Sequence, residues 1–133
     1  MTESRNRPLG VMIVDDEVGV RALLTKVLEQ AGFRVTSAPD GQQALELLES
    51  EPGDFDLVIT DIVMPTLDGL ELIRAITERY PSLPVIAISG GGYGNGLLYL
   101  RAAEALGAVG TLLKPFWNAE LLEVVAKVAE SSR

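Results

Sequence analysis

Neither cysteine nor histidine occurs among the 133 residues of the chain. Without cysteine there is no disulfide framework and no thiol chemistry. Without histidine the chain lacks the usual general base, the commonest metal ligand and any phosphohistidine of its own. No apolar run approaches the ~18 residues of a membrane span. Arg5 and Arg7 precede no segment of signal-peptide character, because Asp15, Asp16 and Glu17 interrupt the apolar stretch behind them. The expectation is a protein away from the membrane, in the cytoplasm. Basic residues are also scarce, 11 Lys and Arg against 19 Asp and Glu, for a net charge of -8. Phosphate backbones are bound by clustered Lys and Arg, so nucleic acid is not expected as a direct partner.

What is present is a chain that is 47% hydrophobic, long enough for one domain with a proper core and too short for two. Residues 1–8 read as a flexible N-terminal tail and residues 9–131 as the single domain. Short apolar runs at 9–14, 33–38, 55–60, 84–89 and 109–113 alternate with helical periodicity at 18–31, 40–51, 68–80, 97–106 and 116–130. Asp40 is placed to cap the second helix, and Gly32, Pro52, Gly53 and Pro81 fall where helices should stop. The strands are continuous apolar runs, which predicts burial on both faces. Five strand–helix alternations imply a parallel sheet with right-handed crossovers and helices on both sides, an α/β doubly wound architecture.

In such a sheet ligands bind outside the carboxyl ends of the strands. That rim receives Asp15 and Asp16 from the first strand, Asp61 from the third, Ser89 from the fourth and Lys114 from the fifth. Two carboxylates about 4 Å apart repel by ~4 kcal/mol at an effective dielectric of 20. Three converging acids therefore call for a cation, and hard oxygen ligands suit Mg²⁺.

Val14-Asp15-Asp16, Asp61 with Met64-Pro65, Ser89 and Lys114-Pro115-Phe116 occur in this order and spacing over nearly the whole chain. In this the chain resembles the receiver domain of two-component response regulators, of the chemotaxis-receiver type. The resemblance implies a flavodoxin-like sheet of order 2-1-3-4-5. It implies that Asp61 accepts a phosphoryl group from a histidine of another protein, a histidine kinase or a histidine phosphotransfer protein. Asp15, Asp16, Asp61 and the backbone carbonyl of Val63 would bind Mg²⁺, Lys114 would hold a phosphoryl oxygen, and Ser89 would bond another. It implies a cis bond before Pro115. The protein would be a signalling module rather than an enzyme, catalysing only its own phosphorylation and slow dephosphorylation and acting on a downstream protein target. Ending at Arg133, it would act by contact or relay, although a piece of a longer regulator fits the sequence equally.

Other readings compete. Asp15 and Asp16 could cap the first helix, whose dipole favours acids. Ser89 alone reads as a turn hydroxyl, and Lys114 alone as a solvated lysine. Phe116 and Trp117 read as packing. A phosphohydrolase using Asp61 as nucleophile would want a second aspartate where Val63 stands. A flavin carrier would want a hydroxyl-rich loop where Asp15-Asp16-Glu17 stands. A binding module that has lost phosphorylation would not need the acids and Lys114. The glycines between Ser89 and Leu97 do not form a nucleotide loop, since Leu97 replaces the lysine of a Walker motif; they read as a hinge, with Gly90 admitting the phosphoryl group.

Two features depart from the family pattern. Thr111 stands where the family has an aromatic switch residue, which points to the glycine-rich loop and the following helix as carriers of the signal. Residues two past the aspartate and two past the hydroxyl, Val63 and Gly91, offer no side-chain hydrogen bond to a hydrolytic water. The helix at 97–106 is apolar almost all round, with Arg101 and Glu104 its only charges, where a surface helix needs only a stripe. Either it packs deeply or, with the helix at 116–130, it forms a homodimer or partner surface.

Overall fold

In the computed structural model, residues 8–64, 66–90 and 95–131 are described. Five strands, β1 (Gly10–Val14), β2 (Arg34–Ala38), β3 (Leu57–Asp61), β4 (Val85–Gly90) and β5 (Gly110–Lys114), alternate with five helices. These are α1 (Val18–Gln30), α2 (Gly41–Ser50), α3 (Gly69–Arg79), α4 (Gly96–Leu106) and α5 (Asn118–Ser131). The sheet has the order β2-β1-β3-β4-β5, and every pairing is parallel. The doubly wound parallel sheet expected from the sequence is observed, in the flavodoxin-like order that the resemblance implied.

Alternation along each strand divides the core in two. Met12, Val14, Val58, Val85 and Ala87 face α2, α3 and α4, meeting Leu48, Leu72, Ile76 and Leu100. Val11, Ile13, Ile59, Ile86 and Ile88 face α1 and α5, meeting Leu28, Leu121 and Val125. Two helix layers therefore sandwich one sheet. β1, β3 and β4 are buried throughout apart from Gly90, which is why they appear as unbroken apolar runs. The outer strand β2 is only half covered, so burial on both faces does not extend to that edge. β5, the other edge, is also partly open.

Helix starts follow local chemistry. The Asp40 carboxylate accepts the Gln43 amide at 2.8 Å, and the Asp68 carboxylate accepts the Glu71 amide at 3.0 Å. Each such cap is worth about 1 kcal/mol. α5 begins at Asn118, two residues later than its apolar pattern suggests; Trp117 precedes it and donates its amide to Glu120 at 2.8 Å. β5 extends through Lys114, so the lysine is part of the ladder, paired with Gly90, and does not merely follow it. The Lys114–Pro115 bond is cis, as the resemblance implied.

Deep packing of α4 is not what the structure gives. Leu100 and Ala103 are buried, but Leu97 is 55% exposed and Leu98 64%. The helix is held by Leu100 and Ala103 with the half-buried Leu106, while Leu97, Leu98 and Tyr99 face out. The expected tail (residues 1–8) and the glycine-rich hinge fall on segments of which residues 1–7 and 91–94, Gly91 among them, lie outside the described residues, as does Pro65. No helix among the described residues is long and apolar enough to cross a membrane.

Candidate functional site

Because all five strands are parallel, the ends of β1, β3, β4 and β5 reach one rim, and the residues singled out in the sequence lie there. One carboxylate oxygen from each of Asp15, Asp16 and Asp61 falls within 4.8 Å of the others. Asp15 and Asp61 are buried, at 1% and 8% exposure, while Asp16 is exposed. The Lys114 ammonium lies 3.7 Å from Asp15 Oδ2 and 3.7 Å from Asp61 Oδ1. Four side chains from three strands and their loops thus meet around one point.

Ser89 is buried on β4, one residue beyond Ile88, the Cα partner of Asp61. Among the described residues its hydroxyl meets only the Gly90 carbonyl, at 3.5 Å, so it sits beside the acids without bonding to them. Val63, two residues past Asp61, has its side chain turned out at 63% exposure, which leaves its backbone as the part able to serve the site. Thr111 pairs with Ala87 on the neighbouring strand and is half-buried. Among the described residues a side chain at Gly90 would meet no atom within 4 Å, so close packing against them is not what makes residue 90 a glycine.

The electrostatics follow from this crowding. Burial pushes the Asp61 carboxyl up to about 6 from its ordinary 3.8; Lys114 pulls it down, while Asp15 and Asp16 push it up further. Burial also raises Asp15, opposed by the Glu17 amide and by Lys114. One ammonium against three carboxylates leaves two negative charges uncompensated. The donor set is all oxygen and the charge deficit is two, so the residues present fit a divalent hard cation such as Mg²⁺.

Several residues that build this site were not singled out in the sequence. Gly69, the first residue of α3, donates its amide to Ile62 O at 2.7 Å, and a β-carbon there would overlap the Asp61 carbonyl oxygen. Thr60 Oγ1 donates to that carbonyl at 2.8 Å. Arg21 Nη1 donates to the Asp15 carbonyl at 2.6 Å. The only sequence cue for Gly69 is its place just after the cap residue Asp68; Arg21 reads as one polar position of a helix.

Comparison with known proteins agrees with this geometry. The family model of the response regulator receiver domain matches residues 11–126. The chain is 44% identical over 80 residues to the response regulator receiver protein CpdR of Brucella abortus, covering 60% of this chain and 65% of that one. It is 39% identical over 107 residues to a probable chemotaxis protein CheY of Rhizobium etli, covering 80% of this chain and 81% of that one. The crystal structure of NtrX from Brucella abortus superposes with a TM-score of 0.86 at 33% identity, over 95% of this chain but only 28% of NtrX. The chain thus spans less than two thirds of CpdR and under a third of NtrX. With the motif residues gathered on one rim of a 2-1-3-4-5 sheet and the match running through nearly all of them, this chain belongs to the response regulator receiver family.

Proposed function

We propose that residues 9–131 form a phosphoacceptor receiver in which Asp61 is the phosphorylated residue. The observation that carries this reading is the single ammonium of Lys114 held at 3.7 Å from both Asp61 and Asp15, in a cluster of three acids. A structural ion pair needs one acid per base; the surplus of carboxylates suits a site built to receive a cation and then a phosphoryl group.

In the proposed reaction a carboxylate oxygen of Asp61 attacks phosphorus of a phosphohistidine on a histidine kinase or phosphotransfer protein. The O–P bond forms, the N–P bond breaks, and the departing imidazole takes up a proton. This chain has no histidine, so the donor histidine lies outside these 133 residues. Such transfer is mostly positioning and charge neutralisation, and a carboxylate is a competent nucleophile toward phosphorus, giving an acyl phosphate. Asp15, Asp16, Asp61 and the Val63 carbonyl would hold Mg²⁺, which when bound neutralises charge on the phosphoryl oxygens. Lys114, fixed by the β5 ladder, reaches one phosphoryl oxygen. Ser89 then bonds another after leaving the Gly90 carbonyl. The same site slowly loses its phosphoryl group to water, without side-chain help from Val63.

The modified state is read by a downstream protein. The exposed Leu97 and Leu98 of α4, with α5 on the other side of the β5 edge, are the proposed contact surface for that target or for a second copy of the chain. Light scattering with and without a phosphate mimic tests the second copy: a monomer in both states removes it.

The phosphoacceptor itself is tested by mixing the protein with Mg²⁺ and a small acyl phosphate and weighing it. Wild type gains one phosphoryl group and Asp61→Asn gains none. Equal gain by both, or release of free phosphate in many turnovers per protein, would instead favour other chemistry, the latter a phosphohydrolase.

A further inference from the structure

The acidic loop between β1 and α1 is three residues long, Asp15, Asp16 and Glu17, and two of its acids belong to the cluster. Its first residue is tied at every polar group. The Asp15 amide donates to the Ala38 carbonyl of β2 at 3.2 Å. Its carboxylate accepts the Glu17 amide on Oδ1 at 2.9 Å and faces Lys114 on Oδ2 at 3.7 Å. Its carbonyl accepts Arg21 Nη1 at 2.6 Å, the shortest of the four contacts. Asp16 has no such tether among the described residues and follows wherever the Asp15–Asp16 peptide points.

That last contact is unlike the others. Arg21 sits on the second turn of α1, and its amide donates to Glu17 O at 3.1 Å. Its side chain therefore reaches back over the first turn and closes the loop into a ring. A guanidinium is a rigid planar donor, pre-organised so that less freedom is lost per hydrogen bond than with an ammonium. By holding the carbonyl of residue 15, it fixes the peptide plane between the two acids. α1 is itself anchored by Leu24, Val27 and Leu28 in the core, so the clip refers the loop to a rigid frame.

We propose that Arg21 is a positioning residue: its hold on the Asp15 carbonyl orients both Asp15 and Asp16 toward the divalent cation. This rests on the metal reading of the preceding section. It makes a prediction whose sign is opposite to plain electrostatics. Deleting a positive charge near a cluster of acids should tighten binding of a cation. Deleting a group that orients the ligands should weaken it, by about 10–100-fold where outer partners of metal ligands are removed.

The test is a Mg²⁺ titration of the full chain, followed by amide chemical shifts, on wild type, Arg21→Met and Arg21→Gln. Methionine keeps the apolar stem, and glutamine keeps polarity while falling short of the carbonyl. Neither changes the buried face of α1. Arg101→Met on α4 serves as a control for charge loss far from the loop. The expected result is a Kd raised about tenfold or more in both Arg21 variants, an unchanged Kd in Arg101→Met, and partial recovery in Arg21→Lys, which restores one donor. Thermal unfolding of the metal-free proteins should differ far less than their Mg²⁺ affinities. A Kd that is unchanged or lowered in the Arg21 variants overturns the proposal. Absence of saturable Mg²⁺ binding in wild type overturns instead the metal reading on which it rests.

Discussion

Gly69 lies against the backbone of Asp61 so closely that no β-carbon fits between them. The residue that opens α3 is thus in direct contact with the residue proposed to react. Asp68 caps the helix, Gly69 bonds Ile62, and the strand end that carries the nucleophile is seated on the helix start. Gly69 is the first residue of its helix, so an alanine there would gain less than the ~1 kcal/mol that the exchange brings in a helix interior. It would also force the Asp61–Ile62 peptide or the helix to move, which for overpacking costs about 1–3 kcal/mol. Gly69→Ala is therefore expected to be less stable in urea unfolding and slower to be labelled by an acyl phosphate. A variant as stable and as fast as wild type would mean that helix and strand shift apart freely.

The pH dependence of stability follows from the raised Asp61 carboxyl. The folded state holds that proton up to about pH 6, and the unfolded chain only to 3.8. A raised acid favours folding while protonated: the benefit is complete below 3.8 and is lost as pH rises through about 6. Above that range the ionised, buried carboxylate costs the metal-free fold up to about 3 kcal/mol. Asp15 moves in the same direction. Asp61→Asn should therefore be more stable than wild type at about pH 8 in the presence of a chelator, and nearly equal to it at about pH 4. Mg²⁺ should close the gap at the higher pH. Parallel urea titrations at the two pH values measure this; a stability difference of the same size at both would contradict it.

Lys114 is the one cation ion-paired with the carboxylates of Asp15 and Asp61 among the described residues. Lys114→Met should raise the Asp61 carboxyl further, because the group that pulls it down is gone. It should also slow acyl-phosphate labelling by about 10²-fold or more, the usual effect of removing one aimed donor. The readouts are carboxyl titration by NMR and the labelling rate at saturating Mg²⁺. A normal rate would place the lysine outside the reaction.

The two sides of α4 should answer mutation differently. Leu100 is 6% exposed and Leu98 64%. Leu100→Ala should cost about 2–5 kcal/mol of stability, and Leu98→Gln no more than about 0.5 kcal/mol. Equal and large losses in urea unfolding would restore the deep-packing reading of this helix.

Those two leucines also mark what the sequence can and cannot carry. Apolar runs such as Val85-Ile86-Ala87-Ile88 told of buried parallel strands, because a strand covered on both faces has no polar alternation. Asp40 was recognisable as a cap from its neighbours alone. The acids, Ser89 and Lys114 were legible because topology sends parallel strand ends to one rim. The exposed half of β2 was not, because composition does not say which strand will be an edge. Lys114 was expected after its strand and lies inside it, since ladder pairing with Gly90 is a tertiary fact. The contacts of Gly69 with Asp61 and of Arg21 with Asp15 were invisible for the same reason: each depends on what a residue meets across the fold, and no local pattern records that. For Leu97 and Leu98 the sequence leaves burial and exposure both open, because apolar composition alone does not say which side of a helix meets the core; the structure exposes them.

Conversion of Asp61 to an acyl phosphate, in a site completed by a divalent cation, can be read at the residue itself: label the protein with acyl phosphate, reduce the product with borohydride and sequence the peptides, with and without Mg²⁺. The phosphorylated carboxyl should be reduced to homoserine at position 61, and only where Mg²⁺ is present. Homoserine at another acid, or equal yield at 61 in chelator, would contradict it.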